Sequence, residues 1–256
     1  MGFREKGKSV TIKFLLCAFF LSFLPVFAAI PDAYAFRVPE KLVYDLTWGG
    51  IKTGTATLEI REENGATRIV STARSAAWVS LFYTVDDRTE SVLSKPLRHA
   101  AIGNPLHYRI SIREGRYRRN KEIVFDGAKR KALYTDYLNG ERKDILIRDK
   151  TFDPLSSFYY FRTIKSVPGK SVYVYVVDSK KLWNVEVQVI RKERITTKLG
   201  VFDTIVIKPL LKSEGLFNRR GDMYIWLTDD EKRVPVKLQT KVALGNVTAT
   251  LTGGEY

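Results

Sequence analysis

His99 and His107 are the whole imidazole supply of this chain, and Cys17 is its single thiol. His107 shares an alternating strand face with Arg109 and Arg113, and no Glu or Cys stands at a zinc-ligating spacing from it. A serine hydrolase needs a nucleophile, a base and an orienting carboxylate, and no G-x-S-x-G elbow occurs. Asp86, Asp87 and Glu90 are the best carboxylates for paired acid–base work on a glycosidic bond. On a strand, however, Asp86 and Asp87 point to opposite faces while Arg88 joins Asp86 and Glu90, so a neutralised salt-bridge row is the expectation. Asp229-Asp230-Glu231 has the composition of a calcium loop without its spaced donors or glycine, and it sits where a hairpin turn is wanted. Gly49-Gly50 and Gly253-Gly254 precede no helix and so cradle no phosphate. No cofactor or metal is implied. A carboxylate-dependent hydrolase would need Asp86 or Glu90 shifted inside a pocket, which makes catalysis the weakest of three readings.

Binding chemistry has more to draw on. Arg113, Arg116, Arg118, Arg119 and Lys121 surround Tyr117 in one strongly basic stretch, and Arg219-Arg220 adds a second. The first 35 residues read as an export signal. Arg4, Lys6, Lys8 and Lys13 are followed by an apolar run from Phe14 to Leu24, then Pro25 and the small-x-small pattern Ala33-Tyr34-Ala35, with cleavage expected after Ala35. The run falls short of the roughly 20 residues of a spanning helix, and Cys17, preceded by Leu15-Leu16, does not fit a lipidated cysteine. Removing that segment leaves 256 − 35 = 221 residues, 36–256, read as one domain without thiols or disulfides. It carries 43 − 4 = 39 basic and 28 − 2 = 26 acidic side chains, a formal +13. An exported protein of that charge, in the periplasm or on the periplasmic face of the outer membrane and with no transmembrane segment after cleavage, would meet anionic head groups or acidic envelope polymers, not nucleic acid.

The elements that must position these groups are mostly strands. Leu42, Tyr44 and Leu46 alternate with Lys41, Val43 and Asp45, and Leu106, Tyr108, Ile110 and Ile112 with His107, Arg109, Ser111 and Arg113. Trp183, Val185, Val187 and Val189 alternate with Asn184, Glu186 and Gln188, while Val172, Val174 and Val176 lie opposite Tyr173, Tyr175 and Val177. Asn64-Gly65, Asp126-Gly127, Asn139-Gly140 and Gly245-Asn246 mark turns. About a dozen strands with turns every 8 to 15 residues and no repeat or linker predict a mostly β protein: an antiparallel open β-roll or half-barrel. Asp153-Pro154 starts the one strong helix, with Leu155, Phe158, Tyr159, Phe161 and Arg162 forming a wide aromatic face that must be buried, and the concavity of the sheet is its expected place. Gly54 and Ala56 leave one strand face small, as if the helix or a ligand came close. Ala76 to Tyr83, too rich in bulky residues for a solvated loop, is expected to be a second short helix or a buried bend.

The run Leu42 to Ala56 (LVYDLTWGGIKTGTA), with Asp153 to Tyr160 (DPLSSFYY) and Gly200-Val201-Phe202-Asp203-Thr204 far downstream, resembles the exported bacterial family catalogued as domain of unknown function 3108. The likeness covers nearly all of the chain beyond the signal. It implies a β protein of the cell envelope, similar in shape to open rolls such as lipoprotein carriers, and it brings no catalytic or ligand residues.

Two binding readings follow. In the first, a carrier holds an acyl chain or other anionic amphiphile between the sheet and Phe158, Tyr159 and Phe161, with Trp48 and Gly54 in the same candidate set and Arg113, Arg116, Arg118 and Arg119 at the mouth. The aromatics filling a core is the competing explanation. In the second, a scaffold docks its basic face on envelope polymers or a partner protein.

Overall fold

The computed structural model describes residues 36–96, 102–210, 222–242 and 245–256. The first 35 residues with Cys17, and also His99 and Arg219-Arg220, lie outside them. The alternating stretches form fifteen strands, more than the dozen expected: β1 (Glu40–Trp48), β2 (Ile51–Glu63), β3 (Ala66–Ser75), β4 (Asp86–Leu93), β5 (Pro105–Glu114), β6 (Tyr117–Asp126), β7 (Lys131–Asp136), β8 (Glu141–Leu146), β9 (Thr151–Phe152), β10 (Ser171–Asp178), β11 (Lys181–Thr197), β12 (Gly200–Leu210), β13 (Met223–Thr228), β14 (Pro235–Val242) and β15 (Gly245–Glu255). Among the described residues two helices interrupt them, α1 (Ala77–Ser80) and α2 (Pro154–Arg162).

All fifteen strands make one sheet, ordered β8-β7-β6-β5-β4-β3-β2-β1-β15-β14-β13-β12-β11-β10-β9. Nearly every neighbour is a hairpin partner, and the exception that ties the chain's ends together is β1 against β15, with Tyr44 opposite Leu251 and Trp48 opposite Val247. The two-residue β9 pairs in parallel with β10 at one edge. Side chains approach across the gap between the two ends of the sheet: Lys180 Nζ in the β10–β11 turn lies 2.5 Å from Glu141 on β8, and the Arg148 guanidinium, just after β8, lies 5.3 Å above the Tyr175 ring on β10. The result is a strongly curved open roll of the expected class.

Helix α2 forms where the sequence marks it. Asp153 accepts from the amides of Leu155 and Ser156 at 2.9 Å, and the Ser156 hydroxyl accepts from the Asp153 amide at 3.1 Å, closing a reciprocal cap. Ser91 on β4 donates to the same carboxylate at 2.7 Å, so the cap also pins the helix to the sheet. Inward-facing Ile60, Ile69, Leu93, Val174, Val185 and Ile205 surround Tyr159 and Phe161 in the largest apolar cluster. The other end of α2 is held by a buried ion pair, Arg162 with Glu40 on β1, whose two guanidinium–carboxylate bonds are each 2.7 Å. Arg162 also donates to the Lys232 carbonyl and stacks 4.9 Å from the Phe36 ring and 5.0 Å from the Tyr159 ring.

The segment from Ala76 to Tyr83 corrects the expectation of a buried bend. It holds the short α1, but none of that helix's residues is buried, and Trp78, Leu81 and Phe82 are 52%, 80% and 85% exposed. What fixes it is polar: the Ser75 and Ser80 hydroxyls share a 2.7 Å bond, Ser75 accepts from the Val85 amide, and Ser80 donates to the Ala76 carbonyl. A connection past the end of the strands has no opposing layer, so its bulk alone cannot bury it.

Candidate functional site: an apolar cavity beneath helix α2

On a helix, residues three apart share a face. Leu155, Phe158 and Phe161 therefore point together into the space between α2 and the sheet, where a cavity of about 280 Å³ remains. Val174, Val176, Val185 and Val187 on β10 and β11 close one side, and Ala56, Leu58, Ile225, Leu238 and Ala249 close the other. The lining is almost entirely hydrocarbon, with hydroxyls contributed by Thr57, Ser71 and Ser157. Tyr44 also borders it, but its hydroxyl is committed to the Pro235 carbonyl at 2.8 Å, and burial pushes its pKa far above the ordinary tyrosine range.

Tyr159 is turned away from this space. It is fully buried against Phe36, edge to face at 5.0 Å, and its hydroxyl donates to Glu40 at 3.3 Å. Burial, and then the Glu40 charge, push that phenol well above its ordinary value. Of the three helix aromatics singled out in the sequence, Phe158 and Phe161 line the cavity, Phe161 also being part of the buried core cluster, and Tyr159 belongs to the core alone.

The remaining candidates separate further. Trp48 stands at the end of β1, half exposed and outside the cavity lining. A Cβ on Gly54 would fall 2.3 Å from the Arg74 carbonyl oxygen, so this glycine admits the neighbouring strand β3 rather than the helix or a ligand. Ala56, two residues on, is the small residue that does face the cavity. Arg113, Arg116 and Arg118 sit at the β5–β6 hairpin tip, where Arg118 donates to the carbonyls of Gly115 and Tyr117 and the Arg113 amide donates to Asp87. Only Arg119 reaches the neighbourhood of α2. With Tyr108 and Asp178 it lines a cleft of about 170 Å³ that shares Ser71, Pro154 and Leu155 with the apolar cavity. Burial, with the Asp178 and Asp153 charges, raises the Tyr108 phenol well above its usual range, and Arg119 acts in the opposite sense. Lys121, next inward on the same strand face, has its ammonium pKa lowered by burial and by Arg119, against the attraction of Asp136 at 3.4 Å.

The carboxylates considered for catalysis lie elsewhere. Glu90 is paired with Arg88 at 2.8 Å, as expected of a salt-bridge row, and with Arg68, while Asp86 pairs across the strands with Arg74 at 3.3 Å and Asp87 accepts from the Arg113 backbone amide at 3.0 Å. Asp230 accepts from Thr228, Lys232 and Arg233 within its own turn. His107 does find an acidic neighbour that linear spacing conceals: its Nε2 is 2.5 Å from Glu122 across the β5–β6 ladder, and Tyr137 donates to the same carboxylate. Burial opposes the Glu122 charge, but the bonds from Tyr137 and His107 outweigh it and hold the carboxyl below its ordinary value.

Solved structures that the arrangement resembles in its fold include a beta-barrel-like protein of domain of unknown function DUF1849 from Brucella abortus, at TM-score 0.53 and 11% identity, covering 86% of this chain and 98% of that one. No curated protein matches the sequence. Neither the family match nor this neighbour gives a sign of catalysis. Residues 43–252 match the model described as "Protein of unknown function (DUF3108)", and the chain belongs to that family.

Proposed function

We propose that the protein is a non-enzymatic carrier that holds the apolar part of an anionic amphiphile under α2 while working in the periplasm. The observation that carries this reading is the hydrocarbon-lined cavity of about 280 Å³ adjoining a cleft that contains Arg119. Dry apolar cavities of about 150 Å³ take up benzene-sized molecules, and larger ligand sites run to roughly 300–1,000 Å³. The observed volume therefore suits a single acyl chain rather than a two-chained lipid. A headgroup carboxylate or phosphate would lie in the adjoining cleft, where the Arg119 guanidinium offers a forked donor. The periplasmic address rests on the basic start, apolar run and Ala33-Tyr34-Ala35 of the N-terminal segment.

Native mass spectrometry with organic extraction of the protein recovered without detergent after export is the test. A stoichiometric single-chain amphiphile is expected. Ala56→Phe, which fills the cavity from the sheet side, should abolish its retention while the protein still unfolds cooperatively. An empty wild-type protein that also takes up no added fatty acid would overturn the reading, as would unchanged retention in Ala56→Phe.

A further inference from the structure

The β1–β2, β3–β4 and β5–β6 connections all lie at one end of the antiparallel meander. That end is apolar where a protein surface is ordinarily polar. The loop between β3 and β4 turns its hydroxyls inward to brace the backbone and points Trp78, Leu81 and Phe82 outward, and the β1–β2 tip beside it presents Trp48 and Ile51. The Ala76 amide bonds the Thr53 carbonyl at 2.8 Å, tying the two connections together. Exposed contiguous apolar groups of this kind mark an interaction surface.

A basic tip adjoins it. The Gly115 amide donates to the Thr84 carbonyl at 2.8 Å, and the Tyr83 ring packs so closely on Gly115 that a Cβ there would be 2.5 Å from it. This contact sets the exposed Arg113, Arg116 and Arg118 beside the apolar loop. Aromatic and aliphatic side chains rimmed by arginines match the interfacial region of a bilayer with an anionic surface, where rings sit at headgroup level and guanidinium groups meet phosphates. The formal +15 of the whole chain favours the same partner.

We propose that this end of the roll docks on an anionic phospholipid bilayer, inserting Trp78, Leu81 and Phe82 while Arg116 and its neighbours contact headgroups. The surface also lies near the cavity: the lining residue Ala249 pairs with Leu46, two residues from Trp48. Docking rests on observations separate from those behind the carrier reading, and either can fail alone.

The test is co-sedimentation of the exported protein, its N-terminus read by mass spectrometry, with vesicles of phosphatidylglycerol and phosphatidylcholine or of phosphatidylcholine alone. Binding to the anionic vesicles is expected, weakening several-fold when salt rises from tens to hundreds of millimolar. Leu81→Ser/Phe82→Ser should weaken it by about tenfold or more, since it removes most of the inserted area. Arg116→Glu should weaken only the anionic preference. Brominated lipid should quench the wild-type tryptophan emission, and Trp78→Phe should remove most of that quenching, a readout independent of the double variant. Ala56→Phe should bind vesicles as wild type does, and Leu81→Ser/Phe82→Ser should still retain an acyl ligand if the carrier reading holds. Absence of vesicle binding, equal binding by the double variant, or a dimer in sedimentation velocity that the double variant abolishes would overturn the proposal.

Discussion

Two short helices of this chain are dense in aromatic and aliphatic side chains, and the fold treats them in opposite ways. Helix α2 places Tyr159 and Phe161 among valines and isoleucines, closes its start with Asp153 and anchors its end through Arg162 to Glu40. Helix α1 has no side-chain cap and no buried residue, and its loop exposes Trp78, Leu81 and Phe82. Similar composition thus yields a core element where a concave sheet lies opposite, and a free surface where the chain passes the strand ends. The difference teaches that burial is a property of what faces a segment. It also assigns different work to the two: α2 holds the roll's interior in shape, leaving a cavity, whereas the α1 loop contributes little to stability and is available for contact.

The comparison is broken most directly by making the same change in both places. Tyr159→Ala removes a fully buried ring and should cost about 3–5 kcal/mol in urea unfolding. Phe82→Ala should stay within about 0.5 kcal/mol of wild type. A comparable loss at both sites would mean that the α1 loop is part of the folded core after all.

Arg162→Ala probes the far end of α2 and should cost nearly as much, about 3–5 kcal/mol, because it leaves the Glu40 carboxylate buried without its partner. Replacing both residues by Met should recover most of that loss, since an apolar pair removes both desolvated charges. If the double variant were no better than Arg162→Ala, the pair would contribute more than charge compensation. Removing the cap is a smaller perturbation. Asp153→Ala should cost about 1–2 kcal/mol, the usual range for a lost N-cap, and the orphaned Ser91 hydroxyl sets it at the upper end. No such loss is available at Ala76, which precedes α1 and makes no side-chain cap bond.

Much of this architecture is legible in the sequence because it depends on local alternation. Leu106, Tyr108, Ile110 and Ile112 fix which face of β5 is buried apart from Leu106 at its exposed beginning, and Asp153-Pro154 fixes where α2 begins. The i, i+3 spacing of Phe158 and Phe161 likewise gives the cavity's helical wall, although separating Tyr159 from them requires the sheet's position. Long-range partners are another matter. Glu40 and Arg162 are 122 residues apart, and nothing in the chain between them specifies that they meet. Gly54 reads as small in either case, and only the strand register shows that Arg74 is what comes close. The outward face of Ala76 to Tyr83 is hidden for the same reason: composition records bulk, not the missing layer. His107 and Glu122 become neighbours only once β5 and β6 are in register, with Arg109 opposite Glu122.

The smallest expected effect concerns the charge on the α2 cap, and its sign sharpens the contrast with the uncapped α1. Burial pushes the Asp153 carboxyl above its ordinary value of 3.8, while hydrogen bonds from Ser91 and Ser156 favour the charged form without cancelling that push. A carboxyl with a raised pKa in the folded state binds more protons folded than unfolded over the interval between the two values. The contribution of Asp153 to stability therefore falls as pH rises from its ordinary value through the folded one, and is level beyond. Asp153→Asn keeps an oxygen acceptor for the Leu155 and Ser156 amides but does not titrate. The stability margin of wild type over Asp153→Asn should accordingly shrink as pH rises above the ordinary value of 3.8, measured by urea unfolding at a series of pH values. A margin that grew with pH would mean that the ionised cap is the favoured form, with the partial positive charge at the start of α2 outweighing desolvation. The buried cap would then be an electrostatic anchor, held by charge rather than by hydrogen-bond geometry.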